Sequence, residues 1–233
     1  MNKTLKTILS IVLALVCCLL VYLIYDGIMQ PVRFDKLETQ HKNVAVQQLK
    51  DIRELQVAYL GENGVYTASF DSLKQFYNDG QMTVTLQVGS QDDSAAVAHT
   101  DQVRRANRGI TDEGLYKLYL AGEPNLVFQV QNKINVRDTL FNNRPDFDIN
   151  KIDEIPFSGG DKIEMQATVK RVSGVDVPLF EAKMPLKSLL KDLDDEYHQN
   201  IVNLVAARND INQYPGWQVG SISAPNNNAG NWE

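Results

Sequence analysis

Beyond its first 33 residues the chain has no cysteine; its two thiols, Cys17 and Cys18, sit side by side in an apolar stretch. That excludes a disulfide framework and a thiolate metal site from everything that follows. Histidine is scarce too. His41, His99 and His198 are far apart, and none has a second ligand at metal spacing. Each is expected to be solvated or locally bonded. Excess positive charge is also missing. The net charge is −6; Lys3, Lys6, Asp26 and Arg33 give the first 33 residues +2, which leaves −8 for the rest. An acidic body repels phosphate backbones, so no nucleic acid is expected as a partner.

The motifs of common chemistries are absent as well. Ser158-Gly159-Gly160 is a turn before a strand rather than a strand-to-helix phosphate cradle. There is no Gly-x-Ser-x-Gly elbow. Asp146 to Asn150 begins like a calcium loop. Lys151 then stands where that loop needs glycine, and Phe157 where it needs a bidentate glutamate. The carboxylates Asp192, Asp194, Asp195 and Glu196 read as charge complementarity at a helix N-terminus. Arg104, Arg105 and Arg108 form the one basic cluster, placed where a helix C-terminus favours cations. The expectation is a non-enzyme without catalytic, cofactor-binding or metal-ligating residues, and without a cofactor.

What the chain does have is a long apolar run. No charge occurs from Ile8 to Tyr25, and the stretch 7–29 is close to the ~20 residues that cross a hydrocarbon layer. Lys3 and Lys6 precede it, which predicts a cytoplasmic N-terminus and a body outside, in the periplasm. The run is too long for a signal-peptide core, and Tyr22-Leu23-Ile24-Tyr25 is a poor cleavage context, so a retained anchor is expected. Ser10, Ala14 and Cys18 fall at i, i+4 and i+8, a ridge of small residues suited to packing against another membrane helix.

Pro31 is expected to interrupt this helix or to begin a second one over 30–60. From Phe34 to Leu60 there is no Gly or Pro. Phe34, Leu37, Val44, Leu49, Ile52, Leu55 and Tyr59 form a helical stripe. Gln48 and Asp51 stand where a coiled coil would need apolar residues, so this stalk is expected to pack along its own domain. Ser69 caps a short helix with Phe70, Leu73, Phe76 and Tyr77 inside. Met82 to Val88 alternates as a strand, helices follow near Ser94 and Thr111, and Leu126 to Val136 is β-rich. Lys162 to Val172 is the clearest strand. Ser173-Gly174 turns it into a partner strand, where Pro178 predicts an edge or a bulge. Asp194 is expected to cap a last helix.

The fold class expected is α+β: an N-terminal transmembrane helix and a long amphipathic helix, then a mainly antiparallel sheet with flanking helices. The expected domains are a cytoplasmic tail (1–6), a membrane span (7–29), a stalk (30–60), one extracytoplasmic domain (61–222) and a flexible tail (223–233). Tyr59, Tyr66 and Phe70 are expected to lock the stalk to the domain. Trp232 and Glu233, a large aromatic beside a free carboxylate, either dock into a partner or fold back on their own domain.

The order of these features resembles a type IV pilin or a type II secretion pseudopilin. The residues that carry the likeness are Gln56-x-x-Tyr59 and Asn63-Gly64-x-Tyr66, after a membrane helix with Pro31 near its outer end. The chain lacks the glycine processing site followed by an aromatic, and the glutamate five residues into the mature helix. The whole soluble part resembles an uncharacterised family of single-pass bacterial envelope proteins. Tyr66 to Leu73, Arg137 to Phe141, Ile155 to Ser158, Val177 to Lys183 and Asn227 to Glu233 carry that resemblance. It implies an inner-membrane protein whose partners are the membrane, other envelope proteins and, as one option, a second copy of itself. The function this suggests is assembly or scaffolding; a membrane-tethered ligand-binding or sensory domain is the alternative.

Overall fold

The computed structural model describes the backbone of residues 3–233 and side chains from residue 11 onward. It is α+β, as expected. The first helix, α1 (Lys3–Asn63), is 61 residues long and contains Pro31. The break expected at that proline is absent. Proline removes one backbone donor, but the helix continues on either side. Its stretch from Ile11 to Tyr25 presents Leu, Ile, Val and Tyr side chains outward. It is the one helix among the described residues long and apolar enough to cross a membrane. Gly64 ends α1, its N–H donating to the Leu60 carbonyl at 2.8 Å.

After α1 come α2 (Phe70–Asp79), β1 (Gln81–Val88), α3 (Ser94–Ala106), α4 (Asp112–Leu120), β2 (Phe128–Asn135) and α5 (Val136–Thr139). Then follow β3 (Glu164–Val172), β4 (Val175–Pro185), α6 (Leu186–Leu189), α7 (Asp194–Asp210) and β5 (Gly216–Gly220). The caps are local and chemical. The side chains of Ser69, Asp93 and Thr111 accept from the first-turn N–H groups of α2, α3 and α4. Asp194 does not cap α7: it is the first helical residue, and its carboxylate takes the His198 ring at 2.9 Å instead. The backbone at Tyr197 is non-helical, which kinks α7 after its first turn.

One domain was expected; the chain forms two compact units, each with its own core. One comprises Met1–Arg53 and Lys151–Glu233, the other Glu54–Asn150. The first leaves the sequence inside a helix and returns about a hundred residues later. No linker composition marks such a boundary.

In the discontinuous unit the sheet order is β3-β4-β5, all antiparallel. Ser173 (φ 52°) and Gly174 (φ 87°) make the two-residue hairpin between β3 and β4. Two positive φ values in sequence define a type I′ turn, whose twist matches that of the strands. The β3–β4 register runs without a bulge through Val169 opposite Pro178. Pro178 sits where β4 has an open edge, because β5 reaches only Glu181 to Pro185. The edge expected there is present and the bulge is not. Phe180, Met184, Leu186, Leu189 and Leu190 are fully buried. Phe34 of α1 packs with Leu186, Leu190, Tyr197 and Ile201, so the stalk does lie along its own domain.

In the continuous unit β1 and β2 form an antiparallel pair, Gln81 opposite Asn135 through Val88 opposite Phe128. Leu115, Leu126, Phe128 and Val130 are its core, with Val88, Val103, Ile110 and Leu118 against them.

Candidate functional site

The first candidate surface is the span. Residues 10, 14 and 18 are helical, so they share one face by spacing. The Ala14 and Cys18 side chains are exposed, as are the apolar residues around them. The Ser10 side chain lies outside the described residues.

The second candidate is the turn that follows α1, within the continuous unit. The Tyr59 ring meets Phe76 edge-on at 5.3 Å between centroids, and Leu73 and Phe76 are buried. Tyr66 and Phe70 are half-buried. The residue that fixes the turn is Gln56, which is fully buried. Its Nε2 donates to the Thr67 carbonyl at 2.6 Å, and its Oε1 accepts from the Thr67 N–H at 3.1 Å. A primary amide is the side chain that can do both, because it carries a donor and an acceptor on one carbon. The sequence signal is the Gln-x-x-Tyr spacing, which puts Gln56 and Tyr59 on one helix face.

The polar residues that spoil the coiled-coil pattern bind parts of the discontinuous unit. Gln48 Nε2 lies 3.1, 3.0 and 2.8 Å from the carbonyls of Lys151, Ile152 and Glu154. Asp51 is buried and accepts from Gln47 Nε2 at 3.0 Å. His41 is buried rather than solvated. Its Nδ1 donates to the Leu189 carbonyl at 3.2 Å, and its ring stacks on Phe157 at 3.9 Å. Val44, expected inside the stripe, is exposed, and Ala45 takes the buried position.

The third candidate surrounds Trp217 of β5, which is 4% exposed. Arg208 of α7 and Lys42 of α1 place their cations 4.2 and 4.6 Å from its ring centroid. The quadrupole of the indole favours that placement. Arg208 Nη1 also donates to the Gly216 carbonyl at 2.8 Å. Burial lowers the pKa of Arg208, while Glu38 works the other way. Burial raises the pKa of Glu38 above the ordinary carboxylate value, and Lys42 and Arg208 pull it back. Tyr214 is pushed up to about 12 by burial and by Glu164 and Glu181, so at neutral pH it is an uncharged phenol. Glu181 is itself buried and ion-paired with Lys183.

The last residues close the far edge of β5. Gly220 N–H donates to the Ala229 carbonyl and Asn231 N–H to the Gln218 carbonyl, both at 3.0 Å. Asn231 also accepts from the Gln218 N–H and donates to the Gly216 carbonyl. Arg53 holds the Glu233 carboxylate at 2.7 Å and lowers its pKa. Trp232 packs over Gly230. The flexible tail expected for 223–233 is instead hydrogen-bonded back onto the sheet, and Trp232 and Glu233 take the fold-back alternative. Short-range composition misses this, because the partners of the Asn/Gly-rich segment lie on β5 and α1.

No protein-family model, no curated protein and no solved structure matches this chain.

Proposed function

We propose that this protein is a membrane-anchored, non-enzymatic assembly or scaffold subunit of the bacterial envelope, pilin-like in layout. It sits in the inner membrane, with its N-terminus cytoplasmic and its body periplasmic, and acts through protein–protein contacts. The observation that carries the reading is α1. One unbroken helix bears an exposed apolar stretch from Ile11 to Tyr25, and further along it buries Phe34, Ala45, Leu49 and Ile52. The same element therefore offers a surface to lipid or to other membrane helices and a seat for the folded body. Lys3 and Lys6 before the span support the orientation. Ala14 and Cys18 leave room for close helix approach in the lipid.

The test is photo-crosslinking in cells from Val32 and Val44, two exposed apolar positions on α1 beyond the span. Discrete adducts larger than the monomer are expected from at least one of them. Monomer alone from both, with the protein correctly inserted, overturns the reading.

A further inference from the structure

We propose that β2 of the continuous unit pairs with β2 of a second copy of this chain, antiparallel, about a two-fold axis at Gln131. This rests on the assembly reading above and names its partner.

β1 and β2 form a two-stranded sheet, so each has a second flank that meets no strand among the described residues. The two flanks differ. On the β1 side the Glu62 carboxylate accepts the Thr83 N–H at 2.6 Å, which plugs that edge. On the β2 side the run Phe128–Asn135 has no proline or glycine, and its register with β1 is unbroken. Every β2 residue from Gln131 onward is exposed, as is Gln129. An edge of this kind is a template for strand addition, and proteins ordinarily blunt it.

Three hydrogen bonds fix which way each backbone group of β2 points. Val136 N–H donates to the Gly80 carbonyl at 3.1 Å, so residue 136 faces β1. Directions alternate along a strand, so Ile134, Asn132, Val130 and Phe128 face β1 too. Lys133, Gln131 and Gln129 then turn their N–H and C=O groups outward. The other two bonds agree with this phase. Val127, one step further along, sends its N–H away from β1 to Thr100 Oγ1 at 2.8 Å. Thr83, opposite Lys133, sends its own N–H outward to Glu62. The free stretch is bounded at both ends. Val127 N–H is spent on Thr100, and the Asn135 carbonyl is turned into α5, where it accepts from Thr139 Oγ1 at 3.2 Å. Gln129, Gln131 and Lys133 lie between, centred on Gln131.

That symmetry selects the occupant and the register. A two-fold interface must be self-complementary, and antiparallel self-pairing joins outward residues to outward residues. Centred on Gln131, the register sets Gln131 opposite Gln131 and Gln129 opposite Lys133 twice. These three pairs each exchange two hydrogen bonds. They use every free outward group and call on neither Val127 nor Asn135. A shift either way keeps only two pairs and engages one of those spent groups. The side chains fit as well. The two Gln131 amides each carry a donor and an acceptor for the other. The one charge on each strand, Lys133, faces the Gln129 amide and stands ~13 Å along the strand from its twin. It also lies near Glu62 of its own chain, so the two copies meet without an uncompensated cation. On the other face Ile134, 37% exposed, falls opposite Phe128 and gains apolar cover. So short a paired stretch makes a weak dimer in solution, and tethering both copies in one membrane raises their effective concentration.

The test uses the full chain in membranes with C17A and C18A, and one new cysteine per copy. Gln131→Cys meets itself across the axis, at the ~5.5 Å Cα separation a disulfide spans. Thr85→Cys sits opposite Gln131 on β1, on the same face of the sheet. In the dimer the two copies of residue 85 are three strand spacings apart, ~14 Å, beyond disulfide reach. Mild oxidation is expected to give at least about five-fold more dimer from Q131C than from T85C. The register has its own readout. Gln129→Cys alone and Lys133→Cys alone are expected to stay monomeric, while differently tagged Q129C and K133C copies in one membrane form a mixed dimer. Gln131→Pro removes an N–H that bonds to nothing within its own chain, a position where an edge strand accepts proline, and is expected to abolish the mixed dimer. Equal yields from Q131C and T85C, no dimer from Q131C, or Q129C alone matching the mixed pair overturns the pairing. So does undiminished mixed dimer in Q131P. Adducts from Val32 or Val44 without a Q131C dimer leave the assembly reading standing and remove this interface alone. Silence at every position removes both.

Discussion

Replacing Gln56 removes both hydrogen bonds that hold the main chain of Thr67. Gln56→Leu nearly keeps the volume and isolates the hydrogen-bonding loss. The bonds are 2.6 and 3.1 Å long, and their side-chain partner is fully buried. An orphaned buried donor or acceptor costs about 1–3 kcal/mol. Thr67 is half-buried, so water recovers part of that. The expected loss for Q56L is about 2–4 kcal/mol across the two groups. The same geometry dictates a pH dependence for Gln56→Glu. Its carboxylate accepts from the Thr67 N–H, but faces the Thr67 carbonyl with no proton to give. The protonated acid supplies that proton. The folded-state pKa of the introduced carboxyl group is thus raised above the unfolded value of about 4.3. The favourable contribution is present below that value and is lost as pH rises through the folded-state pKa. Urea unfolding of the detergent-solubilised protein, with amide exchange read over residues 64–70, measures both variants. If Q56L lies within about 0.5 kcal/mol of the parent, or Q56E shows no recovery toward pH 4, the clamp does not hold the turn.

Three further outcomes are expected. Gly216→Ala drives a Cβ into the Met184 carbonyl and to 2.9 Å from Pro185 Cα, both backbone atoms of the neighbouring strand. A loss of about 3 kcal/mol is expected, and an unchanged thermal midpoint contradicts it. Glu38→Gln removes a group whose pKa is raised by burial. The parent should therefore lose stability relative to E38Q as pH rises through the folded-state pKa of Glu38; parallel pH–stability curves refute this. Glu233 has a lowered pKa from the Arg53 hydrogen bond. Its contribution is present above the ordinary carboxylate value and fades as pH falls through the lowered one. R53A should abolish that fading and raise amide exchange at Asn231; unchanged exchange shows that Arg53 does not hold the tail.

Elements whose signals are local were legible in the chain. The caps at Ser69 and Thr111, the Ser173-Gly174 hairpin and the alternating strands all depend on neighbours within a few residues. The stalk stripe was legible at Phe34, Leu49, Ile52 and Leu55, which are buried as their spacing demands. It failed at His41 and Gln56, polar residues buried because their partners lie on other segments, and at Asp51, which is buried and accepts from Gln47 one turn earlier on the same helix. Of the stalk-locking residues expected, Tyr59 does pack on Phe76, while Gln56 was visible only as part of a motif. The break at Pro31 was overestimated because a single missing donor does not end a helix when the residues around it continue the helical path.

The apolar run before Asp26 determined by itself that this chain carries a membrane-compatible helix, because hydrophobic length needs no tertiary partner. The alternating strands and capped helices likewise determined an α+β body. Tertiary structure alone decided that the chain splits into two units with a boundary inside α1. It also decided that the tail closes β5 through Arg53 and Gln218. It left the edge of β3 without a partner strand among the described residues. Those outcomes depend on groups far apart in sequence meeting in space. Their energies come from desolvation and hydrogen-bond geometry, which no local pattern encodes.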